Sequence, residues 1–344
     1  MKVLVTGDSG YIGSVLVPLL LAKKYSVVGY DVDFYKKIAD RKNVIFGNSY
    51  KRIIKDIRKI NADDLRGVDA IIHLSALSND PIGALEPKLT AEINFKASVR
   101  LAKLAKKSGV KRFIFSSSCS IYGVAKNGIV NEKSKVNPIT MYAKSKINTE
   151  EALKKLSDKD FFVGILRNST VYGYSPCFRN DLVVNNLVTT ALAYKEIRIM
   201  SDGTPWRPLI DVRDLSNIFI KFLETKNKKV NGNIINIGFN KNNFQVKDLV
   251  NEVKKNVRGC EVVYTGEHGK DTRSYKVNFD KLKFFFPDVK QEWSLSKSIK
   301  DLVLNLNKIN FSKKDFESRK YERLSVIESL IKERKLTKDL FINN

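Results

Sequence analysis

The first residues, Lys2-Val-Leu-Val-Thr6, form a short apolar run that stops at Gly7, the pattern of a strand buried on both faces of a parallel sheet. Tyr11 to Lys24 then carries apolar positions at helical spacing. A second strand is predicted over Ser26–Tyr30, closing at Asp31, with a shorter one over Val44–Phe46. Further strands are predicted over Asp69–Leu74, Arg112–Ser116 and Phe161–Leu166, and helices over Pro87–Lys107 and Tyr142–Leu156. Strands alternating with helices imply βαβ units, and hence an α/β chain with a doubly wound parallel sheet.

After Arg167 the alternation loosens. Gly, Pro and Asn become frequent over Tyr172–Asn180 and Asp202–Pro208, the composition of a smaller lobe built over the carboxyl edge of the sheet. The expected division is a nucleotide-binding domain over residues 1–167, carrying the reactive groups, and a smaller substrate-binding lobe over 168–344, with the chain partly interwoven between them. From Phe311 onward, Phe316, Tyr321, Leu324, Ile327 and Leu330 recur at helical spacing, which predicts a helical tail packed on the smaller lobe.

Composition narrows the function. With 344 residues, 43% of them hydrophobic, the chain can bury a substantial core. The 62 Lys and Arg against 37 Asp and Glu leave a net charge of +25, which raises nucleic-acid binding through counterion release. The lysines are scattered through nearly every predicted helix rather than gathered beside aromatics, so the excess reads as a solvated surface, and no nucleic-acid partner is expected. The three cysteines, Cys119, Cys177 and Cys260, are widely spaced, and His73 and His268 are the two histidines, which argues against a disulfide framework and a metal site. No secretory leader pattern precedes the first strand. The longest apolar run, Val15–Ala22, is far short of the ~20 residues that span a bilayer, so a soluble cytoplasmic protein is expected.

Two constellations carry chemistry. Gly7-Asp-Ser-Gly10-Tyr11-Ile12-Gly13 lies between the first strand and the first helix, where glycines permit a sharp turn and let a pyrophosphate approach the backbone amides at a helix N-terminus. Asp31 closes the second strand, placed to accept hydrogen bonds from both adenosine ribose hydroxyls and to repel a 2′-phosphate. Together they point to NAD rather than NADP. The second constellation is Tyr142-Ala-Lys-Ser-Lys146 at the start of a helix, where Tyr142 and Lys146 share one face. A neighbouring ammonium favours phenolate over phenol, so Tyr142 is suited to act as general base on a sugar hydroxyl and as acid in reverse. Ser118, just past a strand, is placed to hydrogen-bond the same oxygen.

These motifs resemble the extended short-chain dehydrogenases of the NAD-dependent epimerase/dehydratase family along nearly the whole chain. The landmarks appear in order: Thr6 to Gly13, Asp31, Asp56-Ile57-Arg58, His73-Leu74-Ser75-Ala76, Asn94, Ser116-Ser117-Ser118, Tyr122-Gly123, Tyr142 with Lys146, and Leu166-Arg167. The spacing of the glycines, GxxGxxG rather than GxGxxG, is that family's. The resemblance implies a Rossmann-type sheet with NAD as cofactor, and a homodimer paired through the Pro87–Lys107 and Tyr142–Leu156 helices. It implies that Asp56 and Ile57 flank the adenine and that Leu74, Ser75, Ala76 and Ser116 line the cofactor. By the same resemblance Asn94 buttresses the sheet beside the nicotinamide, and Lys146 also holds the nicotinamide ribose. In the smaller lobe it implies that Asn186, Arg207 and Arg273 hold the diphosphate of a nucleotide-sugar, a task suited to the planar fork of arginine. Two positions depart from the family pattern: Thr170 stands where an asparagine is usual, and Tyr174 replaces a common proline.

By that resemblance, dehydratases place an Asp-Glu pair after the catalytic Ser or Thr, whereas Cys119 and Ser120 occupy those positions here. This disfavours 4,6-dehydration. The remaining reactions are epimerisation through a keto intermediate, which is the preferred expectation, and net oxidation or reduction at C4 by a nucleotide-sugar 4-dehydrogenase or ketoreductase. A non-catalytic RNA-binding relative is disfavoured because Ser118, Tyr142 and Lys146 are all present.

Overall fold

The computed structural model describes residues 1–38, 47–78, 86–199, 201–264 and 274–343. Its centre is a seven-stranded parallel sheet. The strands in chain order are β1 (Lys2–Thr6), β2 (Ser26–Asp31), β3 (Tyr50–Ile54), β4 (Ala70–His73), β5 (Arg112–Ser118), β7 (Phe162–Asn168) and β11 (Ile234–Ile237). Their spatial order is β11-β7-β5-β4-β1-β2-β3, so the chain reverses direction across the sheet between β1 and β4. A doubly wound sheet opens a ligand crevice at that switch point, outside the carboxyl ends of the strands.

The strands predicted from the apolar runs are present within a residue or two of their expected bounds. Val44–Phe46 lies outside the described residues. The third strand is instead Tyr50–Ile54, whose sequence YKRII has no apolar run because it is the edge strand and only half covered. The helix expected from Tyr11 begins at Gly13, as α1 (Gly13–Ala22), which leaves Tyr11 and Ile12 in the glycine turn. The helix expected over Pro87–Lys107 is made of α2 (Pro87–Ala91), a π-helical turn over Glu92–Ala97 and α3 (Ser98–Lys107).

Two apolar layers cover the sheet. One joins Leu4, Ile71, Phe113 and Val163 to Leu101 and Ala105 of α3 and to Leu153 of α4 (Met141–Leu156). The other joins Val3, Val5, Ile72 and Ile114 to α1 and to Leu215, Phe219 and Phe222 of α6 (Val212–Glu224). Both β11 and α6 follow residue 167 yet complete the large sheet and its cover.

The smaller lobe contains the three-stranded sheet of β8 (Thr170–Tyr172), β10 (Trp206–Asp211) and β12 (Asn243–Gln245); β6 (Val124–Val130) pairs with β14 (Ser274–Val277), β9 (Glu196–Ile199) pairs with β13 (Glu261–Tyr264), and α8 (Asp280–Phe285) and α10 (Lys313–Glu317) are short helices. Its separate core gathers Val184, Leu187 and Val188 of α5 (Val183–Tyr194), Leu249 and Val253 of α7 (Val246–Asn256), and Ile299 and Leu302 of α9 (Leu295–Lys308). The tail corrects an expectation. Phe311 and Tyr321 pack on this lobe, but Ile327 of α11 (Arg323–Lys332), together with Leu336 and Leu340, is buried in the core of the large sheet. Only the first part of the apolar stripe serves the smaller lobe, because the chain then crosses to the other side of the cleft.

Candidate active site

A cleft of about 990 Å³ runs along the carboxyl edge of the large sheet, with the smaller lobe over it. At one end is the glycine turn. Gly7 has φ +74°, and a Cβ there would lie 2.9 Å from the Ser75 amide nitrogen, so only glycine lets the turn pack against the loop after β4. A Cβ on Gly13 would fall 2.2 Å from the Gly7 carbonyl oxygen. Gly7, Gly10, Tyr11, Ile12 and Gly13 all line the cleft at the N-terminus of α1. Tyr11 is locked in place, its hydroxyl donating to the Gly173 carbonyl at 2.5 Å.

Asp31 also lines the cleft. Its carboxylate accepts from the Asp33 amide at 2.8 Å and from the Ser9 amide at 3.3 Å. Burial, reinforced by the Asp8 carboxylate, pushes its pKa up to about 6. Asp56, Ile57, Leu74, Ser75 and Ala76 border the same end. Asn94 does not form part of the wall. Its side chain is buried and spent on one residue, accepting from the Leu77 amide at 2.8 Å and donating to the Leu77 carbonyl at 3.1 Å, so it fixes the loop that does line the cleft.

In the middle of the cleft the β5 terminus meets the first turns of α4. Thr140 caps that helix by accepting from the Ala143 amide, which sets Tyr142 and Lys146 facing the strand. Ser116, Ser118, Tyr142 and Lys146 all border the cleft. The Lys146 ammonium donates to the Ser116 carbonyl at 2.6 Å and lies 5.5 Å from the centre of the Tyr142 ring. Burial lowers the Lys146 pKa to about 8. The Ser118 hydroxyl donates to that of Ser120 at 2.9 Å, while the Cys119 thiol turns away into the core and donates to the Arg167 carbonyl. The residues after the serine are therefore a buried thiol and a neutral hydroxyl, with no acid among them.

One helical turn further along α4, Glu150 is buried against Arg167 of β7, which donates to it at 2.7 Å. Arg167 also donates to the Tyr122 hydroxyl at 3.0 Å, and Ser117 donates to Glu150. This network ties the reactive helix to the sheet.

At the far end, Thr170, Asn186 and Arg207 come from β8, α5 and β10 and share the cleft wall. Arg273 lies outside the described residues. Three residues that the sequence reasoning missed are also in the wall: Arg179, Asp181 and Arg323. Arg179 is buried and grips Asp181 through two nitrogens at 2.9 and 2.8 Å. The spacing Arg-x-Asp ahead of an apolar helix was the available signal, but such pairs are common on surfaces.

The residues fit a dinucleotide. The turn has the tightness that a close backbone approach requires, an acid ends β2, and Asn168 Oδ1 and Arg323 Nη1 are buried polar atoms of the wall without hydrogen-bond partners among the described residues.

Comparison with known proteins agrees. Residues 3–238 match the model of the NAD dependent epimerase/dehydratase family, and the chain belongs to that family. A Bacillus subtilis protein described as an uncharacterized UDP-glucose epimerase is 32% identical over 225 residues, 62% of this chain and 70% of that one. A putative UDP-glucose 4-epimerase of Methanocaldococcus jannaschii is 27% identical over 310 residues, 88% of this chain and 97% of the relative. Among solved structures, the UDP-glucuronic acid 4-epimerase of Bacillus cereus in complex with UDP-glucuronic acid and NAD has a TM-score of 0.80 at 25% identity, covering 90% of this chain and 100% of that one. The chain is NAD-dependent, with a Rossmann-like sheet and a smaller C-terminal lobe. Among the described residues no helix is long and apolar enough to cross a membrane.

Proposed function

We propose that this protein is a nucleotide-sugar 4-epimerase. The observation that carries the reading is the layout of one continuous cleft. A dinucleotide cradle ends in Asp31, a Ser118–Tyr142–Lys146 group stands at the middle, and a polar wall with Arg207 closes the far end. The relatives described as UDP-glucose and UDP-glucuronic acid 4-epimerases support C4 as the reacting carbon and a uridine nucleotide as the carrier.

Gly7, Gly10 and Gly13 would present the α1 amides to the pyrophosphate of NAD, Asp31 would take the adenosine ribose hydroxyls, and Lys146 would hold the nicotinamide ribose. NAD supplies the hydride acceptor and donor. The Tyr142 phenolic oxygen takes the proton of the C4 hydroxyl during oxidation and returns it during reduction, while Ser118 hydrogen-bonds the same oxygen. The positive charge of Lys146 stabilises the phenolate. Thr170, Asn186 and Arg207 hold the sugar and diphosphate, with Arg273 expected to join them. Cys119 and Ser120 offer no group to expel a 6-hydroxyl.

Purified protein with NAD and UDP-glucose or UDP-glucuronic acid is expected to yield the C4 epimer by NMR without net change in reduced-cofactor absorbance. Stoichiometric accumulation of reduced cofactor, with a keto product, would assign it instead as a dehydrogenase.

The same reading includes the two-domain division at residue 167 and a homodimer through α2, α3 and α4. Glu92 and Lys96 of the π-helical turn, Arg100 and Lys103 of α3, and Lys144, Asn148 and Glu151 of α4 are exposed and in this pairing would meet near the two-fold axis. Light scattering is expected to give twice the chain mass, and a monomer at micromolar concentration rejects the pairing.

A further inference from the structure

The C-terminal helix brings an arginine into the cleft under unusual conditions. Arg323 is 2% exposed, and it lines the cleft from the first position of α11. A cation at a helix N-terminus opposes the macrodipole, so the position is not one that helix stability selects. Its guanidinium lies 4.0 Å above the Tyr35 ring, and Nη2 donates to the Cys177 carbonyl at 2.8 Å. Nη1 has no hydrogen-bond partner among the described residues. Among the described residues no carboxylate pairs with this charge, whereas the neighbouring Arg179 is gripped by Asp181. A buried cation without a counter-charge is costly, which calls for an anion to complete the site.

The position identifies which anion. Cys177 is itself tied to the first turn of α1: its amide donates to Ser14 Oγ, Ser14 bonds Ser175 Oγ at 2.9 Å, and Ser175 donates to the Tyr11 carbonyl at 2.7 Å. A chain of hydrogen bonds thus runs from the glycine turn to Arg323. Tyr35, under the guanidinium, follows Asp31 by four residues and also lines the cleft. Leu340 lines the cleft beside Asp56 and Ile57, and its segment is clamped by Arg58, which donates to the Asp339 carbonyl at 2.9 Å and lies 3.6 Å above the Phe341 ring. The tail therefore borders the dinucleotide end of the cleft, away from Arg207.

We propose that the C-terminal segment is part of the dinucleotide site, with Arg323 supplying its guanidinium to the pyrophosphate of NAD and Leu340 closing the adenine end. Neither the glycine turn nor Asp31 brings a full positive charge to that pyrophosphate, and Arg323 does. The proposal concerns cofactor binding alone and stands whichever sugar the enzyme takes.

The test is calorimetry on the full-length protein with NAD, ADP-ribose, adenosine and UDP. Arg323→Gln is expected to weaken NAD and ADP-ribose by about ten- to hundred-fold, the worth of a charge-assisted hydrogen bond, with adenosine and UDP unchanged. Arg323→Lys should recover part of the loss. An equal loss for adenosine would mean that Arg323 only supports the fold, and a loss confined to UDP would move it to the substrate. Either outcome overturns the proposal, as does unchanged binding of all four. Should Arg323→Gln fail to fold, amide exchange over residues 323–341 of the unaltered protein decides. Slowing by ADP-ribose but not by adenosine is expected, and no difference between the two ligands rejects the assignment.

Discussion

The two ends of the cleft are built differently. On the large-sheet side, Asp31 and Ser118 stand at the ends of strands and Tyr142 and Lys146 on one helix face, with Asp31, Ser118 and Lys146 held by hydrogen bonds of 2.6–2.9 Å. On the smaller-lobe side, Thr170, Asn186 and Arg207 come from a short strand, a separate helix and a strand reached through the Gly203-Thr204-Pro205 turn, three elements widely spaced along the chain. Under the proposed function, the reacting groups lie on the side tied into the large sheet, and the groups that select the sugar nucleotide lie on the side assembled from separate elements of the smaller lobe.

This contrast can be broken, or sharpened, in order of expected effect. Lys146→Met should be the most damaging change, since it removes both the charge beside Tyr142 and the expected hold on the cofactor ribose, and single-turnover kinetics with a titration of NAD would show both losses. Tyr142→Phe should lower kcat by about 10²- to 10⁴-fold while leaving NAD and sugar-nucleotide affinity nearly unchanged. Near-normal turnover in that variant would remove Tyr142 from the chemistry. Ser118→Ala should be milder, because one hydrogen bond is lost and the base stays.

Stability should show the same contrast. Arg167→Met leaves Glu150 buried without its partner and should destabilise the fold by about 3–5 kcal/mol in urea denaturation. If the loss is below 1 kcal/mol, the network is not what fixes the reactive helix. On the other side, Arg207→Met should raise KM for the sugar nucleotide by roughly tenfold with little change in Tm or kcat, as removal of one charge-assisted bond predicts.

The smallest effect is a pH dependence. The pKa of Asp31 is raised to about 6, so the fold favours its neutral form, and as pH rises through the window from the ordinary carboxyl value to 6 its ionisation costs stability. Ribose hydroxyls donate to the carboxylate and favour the charged form. Binding NAD therefore releases a proton at low pH, and affinity should fall by at most about tenfold for each pH unit below 6. Calorimetry at pH 5 and 7.5 in buffers of different ionisation heat measures the affinity and the proton together. An affinity independent of pH would take Asp31 away from the ribose.

The legibility of the sequence follows the same divide. Buried parallel strands are continuous apolar runs, so β1, β2, β4, β5 and β7 could be placed directly, and with them the glycine turn, Asp31 and the Tyr142–Lys146 face. Tyr50–Ile54 was missed because this edge strand is only partly covered and carries Lys51 and Arg52 in place of an apolar run. The tail was recognised as helical from its apolar stripe, but periodicity says which residues share a face and not which core that face meets. Asn94 shows another limit: the resemblance implies that it buttresses the sheet beside the nicotinamide, but its bonding to Leu77 depends on a loop conformation that no local spacing encodes. Arg179, Asp181 and Arg323 are charged residues in charged surroundings, and only the fold separates them from the many solvated lysines.

The crossing of the tail has a mechanical consequence. Tyr321 rests edge-on against Phe178 in the smaller lobe, while Ile327, two turns of chain later, is sealed in the core of the large sheet. The segment between them is a stitch across one edge of the cleft, too short to lengthen without pulling a side chain out of one core or the other. If the lobes part to admit a sugar nucleotide, they should therefore swing about this edge as a book does about its spine. The widest gap should open at the Arg207 end, with the adenine end held nearly still.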